Sequence, residues 1–394
     1  MNVVDAVVVA LLLGAALSGW RRGLISSVAS LVGALTGTVA AILIAPTLMT
    51  RVDPAAAKIA IGMALVVIGV GVGEWVGSAV GRALSERVTW RPARAVDRGL
   101  GIVGHTAAIA VVLWLIAVPL ASVPSPALAS AVRSSAVLHG IDRVMPDGVR
   151  KISDRMRRLI DDSGFPAILD PLAPTPDIAV PAPDPGVTAS KPVAAAAGSI
   201  RKIRGRAESC SRRIEGTGFI IGPEKMLTNA HVVAGTTSVT VQQGDAELPA
   251  RVVDYDPERD LAVLDVKGLT GRPLAFAAGG MAPGSPVVVA GYPLDGPYTL
   301  TPGRVRNRIT LRGPDIYNRA TVARDVLTLR AVVQPGNSGG PLLDPDGRVG
   351  GVVFGASVDR PDVGFALTAA EVAPVVSAGL RDTTAAATGA CTND

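Results

Sequence analysis

Four long apolar stretches fill the first third of the chain, and they limit what it can fold into more than any other feature. They run from Val3 to Trp20, Leu24 to Met49, Ala57 to Val80 and Leu100 to Val123. Each approaches or exceeds the roughly 20 residues that a helix needs to cross a bilayer. In hydrocarbon every backbone polar group must be satisfied within the segment, so four transmembrane helices are expected. The first stretch has no basic leading region and further apolar spans follow it, so it does not read as a cleavable signal peptide.

The loops give an orientation. Arg21 and Arg22 separate the first two spans, and Arg82, Arg87, Arg91, Arg94 and Arg98 separate the last two. The middle loop carries only Arg51 and Lys58, with Asp53 between them. By the positive-inside rule the first and third loops are cytoplasmic. Both termini, and everything after Val123, are then expected outside the cell membrane. The net charge of +5 is explained by these membrane-flanking arginines, and no nucleic-acid partner is expected. Gly71, Gly73, Gly77 and Gly81 in the third span permit close helix approach. Glu74 and His105 lie toward the cytoplasmic ends of their spans, where an interfacial role outweighs a proton or ligand pathway.

Beyond the spans the composition changes twice. Residues 126–169 read as a helical connector. Within it Val149, Ile152, Met156, Leu159 and Ile160 share one helix face, with Arg150, Lys151, Arg155, Arg157 and Arg158 around it. It suits a membrane surface or a packed soluble helix equally well. Residues 170–199 hold seven prolines among Ala and Asp and no aromatic residue. That segment reads as an extended, solvated tether and as a site of self-cleavage.

From Gly216 onward short Val/Ile/Leu-rich runs alternate with Gly, Pro, Asn and Asp. They include Gly218–Gly222, Ser238–Val241, Arg251–Asp254, Leu261–Val266, Pro286–Gly291, Val326–Val333, Val349–Gly355 and Gly364–Leu367. This spacing predicts an all-β barrel or sandwich, and Ala369–Leu380 a closing amphipathic helix.

Three motifs carry chemistry. His231, in Leu227-Thr228-Asn229-Ala230-His231, is the last of three histidines and a candidate general base. Asp260 opens the apolar run Asp260-Leu261-Ala262-Val263-Leu264. It can hold the other ring nitrogen of His231. Asp254, Asp256 and Asp265 compete on residue type, and the flanking sequence selects Asp260. Ser338, in Gly336-Asn337-Ser338-Gly339-Gly340-Pro341, is the candidate nucleophile. The N–H groups of Gly336 and Ser338 can face a developing oxyanion. His, Asp and Ser follow in that order, 29 and 78 residues apart.

Those motifs resemble the trypsin-like proteases of the bacterial HtrA/Deg group over roughly residues 205–380. The resemblance implies a chymotrypsin-like double β-barrel with the triad between the barrels. No PDZ domain is expected after it. At the other end, Asp5, Gly19-Trp20-Arg21-Arg22-Gly23 and Asp97-Arg98-Gly99-Leu100-Gly101 resemble the CvpA (colicin V production) family over roughly residues 1–165. The whole chain resembles the actinobacterial membrane-anchored serine proteases of the mycobacterial acid-resistance type. That family is associated with survival of acid and oxidative stress.

The expected organisation is a four-helix membrane domain (residues 1–125), the connector (126–169), the linker (170–199) and an all-β protease (200–394). The expected function is a periplasm-facing serine endopeptidase of the bacterial inner membrane, acting on periplasmic or cell-wall proteins without metal or cofactor. The alternative is a proteolytically silent protease fold that serves a membrane sensor or transporter. In the chymotrypsin fold, the residues before the nucleophile and the strand after it line the specificity pocket. Here those are Val332, Val333, Val353 and Gly355, with no acidic residue among them, which implies small or medium apolar P1 residues. Cys210 and Cys391 lie near the two ends of the protease region and read as a disulfide in an oxidising compartment. Two free thiols or a redox switch are the alternatives. A crosslink closing so long a loop is worth up to about 5 kcal/mol.

Overall fold

Many apolar side chains on the N-terminal helices are exposed. A computed structural model describes residues 2–49, 55–87, 90–121, 126–146, 148–149, 172, 175 and 178–392. They divide into two units, residues 2–149 with 172, and residues 175–392. The first unit is helical: α1 (Val3–Arg22), α2 (Leu24–Met49), α3 (Ala55–Ser85), α4 (Arg91–Leu120), α5 (Pro126–Arg133) and α6 (Ala136–Arg143). Each of α1 to α4 contains a stretch long and apolar enough to cross a membrane. Leu13, Leu17, Leu43, Ile68 and Trp75 on these helices are more than 60% exposed, as lipid-facing side chains should be.

Small residues set the helix contacts. A Cβ on Gly73 would lie 2.0 Å from Gly33 O, and one on Gly37 would lie 1.9 Å from Gly69 O. Thus α2 and α3 touch backbone to backbone, the approach that small residues allow in a bilayer. The two CvpA-like segments meet. Gly19 packs on Gly101, and Asp97 Oδ1 accepts the Ile25 N–H at 2.9 Å, capping α2. Asp5 is fully buried and accepts from the Ser135 hydroxyl at 2.6 Å and the Val137 N–H at 3.1 Å, tying α1 to the start of α6. Glu74 lies 4.0 Å from Arg22.

The second unit contains two closed antiparallel barrels of six strands. The first is built from β1 (Ile200–Ala207), β2 (Arg212–Gly222), β3 (Lys225–Thr228), β4 (Ser238–Gln243), β5 (Ala246–Asp256) and β6 (Leu261–Asp265). The second is built from β7 (Pro286–Gly291), β8 (Thr299–Pro314), β9 (Thr321–Arg330), β10 (Pro341–Leu343), β11 (Val349–Ala356) and β12 (Val363–Thr368). Inward residues such as Ile203, Met226, Val241 and Leu264 fill the first barrel, and Val289, Leu329, Leu342 and Ala366 fill the second. The helix Ala369–Gly379 starts at an N-cap where the Thr368 hydroxyl accepts the Glu371 N–H, and Gly379 packs on Val263 of β6.

The tail then runs along the first barrel. Ala386 N–H donates to Val252 O at 2.9 Å, Gly235 N–H donates to Thr388 O at 3.0 Å, and Cys391 is bonded to Cys210. This is the pairing expected from the sequence.

The proline-rich stretch differs from the solvated tether expected of it. The carbonyls of Ile178, Val180 and Ala182 accept from Arg306, Arg330 and Arg304 of the second barrel. Val187 and Val193 are buried, and Ser190 caps a short helix, Lys191–Ala196. Three arginines thus hold three of its carbonyls, giving its described part partners on the second barrel. The amphipathic face from Ile152 to Ile160 lies outside the described residues.

Candidate active site

His231 sits in the turn that leaves β3, and Asp260 immediately precedes β6, the strand paired with β3. That pairing carries the two residues together across 29 positions of sequence. Asp260 has φ +61°, a left-handed backbone that Asp tolerates better than most residues. Its carboxylate holds His231 at both the main chain and the ring. Oδ1 accepts the backbone N–H at 2.9 Å, and Oδ2 accepts from ring Nδ1 at 2.7 Å. Asn229 Nδ2 donates to Asp260 O at 2.6 Å, locking the same turn from the other side. A carboxylate on Nδ1 leaves Nε2 as the basic nitrogen. Of the competing carboxylates, Asp256 instead pairs with Arg259 and Asp265 with Lys225.

Arg324 of β9, 4% exposed, supports this corner. It donates to Glu258 O and Pro314 O. Burial pulls its guanidinium below the usual arginine range, and Asp260 is the first of several carboxylates opposing that shift.

Ser338 is 2% exposed, and its hydroxyl has no hydrogen-bond partner among the described residues. Its loop is fixed peptide by peptide. Pro335 O accepts from Leu294 N–H at 2.7 Å, and Asn337 O accepts from Gly340 N–H at 2.9 Å. In a planar trans peptide the C=O and N–H point opposite ways. These two bonds therefore turn the Gly336 and Ser338 N–H groups away from Leu294 and Gly340. Neither N–H donates to an acceptor among the described residues. Two unpaired, oriented donors flanking a serine are what an oxyanion site needs. Gly336 has φ +91°, and a Cβ there would lie 2.3 Å from Tyr292 O, so only glycine fits.

His231 and Gly336 share a cavity of about 260 Å³, lined also by Leu294, Pro335 and both cysteines of the disulfide. On its flank Asp295 is held by Lys202 at 2.7 Å and Arg204 at 3.0 Å. The Lys202 hydrogen bond is the main cause of a carboxyl held below the usual range. Nearby Glu215 is pushed up, first by burial and then by Asp295.

The expected pocket residues separate. Val332 is 53% exposed, and Gly355 lies near the end of β11. Val333 and Val353 instead belong to the second barrel's apolar core with Val287 and Leu342. The residues that sequence reasoning missed are Leu294, Arg324 and above all Thr217 of β2. A Gly-Thr-Gly triplet in a strand was the only sequence signal for Thr217. Among the described residues no three His, Cys, Asp or Glu side chains cluster as metal ligands.

Comparison with known proteins agrees with this architecture. The family described as trypsin-like peptidase domain matches residues 216–352, and the colicin V production protein family matches residues 4–146. The serine protease Rv3671c of Mycobacterium tuberculosis is 44% identical over 98% of this chain and 98% of its own. The serine protease Do-like HtrB of Bacillus subtilis is 32% identical over 40% of this chain and 36% of its own. The crystal structure of the Rv3671c protease in its active form is 50% identical with a TM-score of 0.54, covering 57% of this chain and all of that one.

Proposed function

The chain belongs to the family of membrane-associated, trypsin-like serine proteases that includes the M. tuberculosis protein, and on that premise we propose that it hydrolyses peptide bonds through Ser338, His231 and Asp260. The observation that carries this reading is the 2.7 Å contact between Asp260 and His231 Nδ1, beside a serine loop with two unpaired N–H groups. His231 Nε2 takes the Ser338 proton as the hydroxyl attacks the scissile carbonyl. The negative oxygen is received by the Gly336 and Ser338 N–H groups. The imidazolium, stabilised by Asp260, then protonates the leaving amine, and water releases the acyl-enzyme by the same steps in reverse.

The orientation of the loops supports a protease unit outside the inner membrane, facing the periplasm, with periplasmic or cell-wall proteins as substrates. A role in acid and oxidative stress rests on the family resemblance. Val332, Val333, Val353 and Gly355 are the pocket-lining candidates, and an apolar P1 residue suits them. Cleavage within the linker by the protein's own protease unit is part of the same proposal. A peptide library tests the chemistry. Cleavage after Leu, Val or Ala, lost on His231→Ala, is expected; faster cleavage after Arg than after Leu would overturn the specificity. An alkaline phosphatase fusion after residue 200 tests the orientation and should be active.

A further inference from the structure

Thr217 stands at the centre of β2, fully buried, between Gly216 and Gly218. It uses every polar atom it has. Its N–H donates to Ser338 O at 2.8 Å. Its hydroxyl donates to Gly336 O at 2.6 Å and accepts the Tyr292 N–H at 3.0 Å. Its carbonyl accepts from the Thr228 hydroxyl at 2.8 Å. One residue of the first barrel therefore holds the carbonyls on both sides of Asn337. It also holds the start of the loop whose Leu294 fixes Pro335.

Four consecutive peptides run from Pro335 to Gly339. The first and third carry the two unpaired N–H groups, and their carbonyls are held by Leu294 and Gly340. The carbonyls of the second and fourth are held by Thr217, and their N–H groups donate to Gln334 O at 3.0 Å and Val353 O at 2.8 Å. Rotation of the second peptide with displacement of its Cα atoms would move both of its neighbours, because it shares a Cα with each. Gly336, with φ +91° and no side chain, offers little resistance to such rotation on its own. The Thr217 hydroxyl supplies that resistance at the carbonyl, beside the bond from Asn337 N–H to Gln334 O.

We propose that Thr217 is a positioning residue for the oxyanion site, its hydroxyl fixing the Gly336–Asn337 peptide so that the Gly336 and Ser338 N–H groups converge on one point. The inference rests on the reading of Gly336 and Ser338 as the oxyanion donors. It assigns Thr217 no contact with substrate. A misplaced oxyanion donor weakens binding of the transition state and leaves ground-state binding almost untouched. The γ-methyl group is secondary: what matters is a hydroxyl that both donates and accepts.

The test compares Thr217→Val, which keeps the shape and loses the hydroxyl, with Thr217→Ser, which keeps the hydroxyl. Active sites are titrated first, so that turnover is counted per folded enzyme. Thr217→Val is expected to lose about ten- to a hundredfold in kcat with KM changed less than twofold. A peptide aldehyde, whose adduct places an oxyanion in the site, should lose affinity by a similar factor. Thr217→Ser should recover most of both. Should Thr217→Val fail to fold, Thr217→Cys, a weak donor of similar size, takes its place with the same direction at smaller amplitude. Wild-type kcat in these variants, a loss carried by KM, or an equal loss in Thr217→Ser would overturn the proposal. Ser338→Ala is run alongside. If it turns over substrate at the wild-type rate, the underlying reading of the site fails, whatever Thr217 does.

Discussion

Asp260 grips His231 at two points, the backbone N–H at 2.9 Å and ring Nδ1 at 2.7 Å. One carboxylate thus places the main chain of the histidine and also selects its tautomer. The two effects are separable. Asp260→Asn preserves the shape and can still accept the backbone N–H, but its amide can impose the wrong tautomer. It should fold and lose about 10⁴-fold in kcat. Steady-state kinetics beside circular dichroism checks this, and a folded Asp260→Asn enzyme within tenfold of wild type would contradict it.

The disulfide joins positions 181 residues apart and anchors a tail that runs along the first barrel. Loop closure of that length is worth at most about 5 kcal/mol in the chain-entropy account. Cys391→Ser should lower the midpoint of thermal unfolding by several degrees, and a reducing agent should do the same to wild type but nothing further to the variant. Equal midpoints with and without reductant in wild type would mean that the bond contributes no stability.

Asp325 contributes pH-dependent stability of a definite sign. Hydrogen bonding from Arg308 holds its carboxyl below the usual carboxylate range; burial opposes this and Thr368 adds to it. A folded-state pKa below the unfolded one gives stability that is present above about pH 4 and is lost as pH falls through the folded value. The pair is partly exposed, so the contribution is about 1 kcal/mol or less. Asp325→Asn should therefore be less stable than wild type at pH 7, with the gap closing as the pH drops below 4. A gap of the same size at pH 3 would refute the assignment.

In the membrane unit the backbone contact between α2 and α3 leaves no room for side chains. A Cβ on Gly73 would lie 2.0 Å from Gly33 O. Gly73→Val should cost about 1–3 kcal/mol or force the helices apart. Its thermal stability in detergent should fall well below that of Gly71→Val, since nothing lies within 4 Å of a Cβ on Gly71. Equal stability of the two variants would argue against this packing.

These contacts show where sequence could and could not be read. The spans were legible because about 20 apolar residues in a row have few other uses. His231, Asp260 and Ser338 were legible as candidates because local sequence carries them. Strand β1 was hidden by its charges, since Ile-Arg-Lys-Ile-Arg-Gly-Arg-Ala reads as a polar loop until Lys202 and Arg204 are seen to bind Asp295. Strand β8 was hidden in the same way by Arg304, Arg306, Arg308 and Arg312. The burial of Val333 and Val353 with Val287 and Leu342 follows from register and bulges, which a single sequence does not encode. Thr217 acts through partners 75 to 121 residues away along the chain, and no local pattern marks such a residue.

The central claim is that Ser338 is a nucleophile activated by His231. Labelling with a fluorophosphonate probe tests it most directly, since the probe reacts with an activated serine. Wild-type protein should take up one probe per chain, on Ser338; Ser338→Ala should take up none, and His231→Ala should react at least about 10³-fold more slowly. Undiminished labelling of Ser338→Ala would contradict the account.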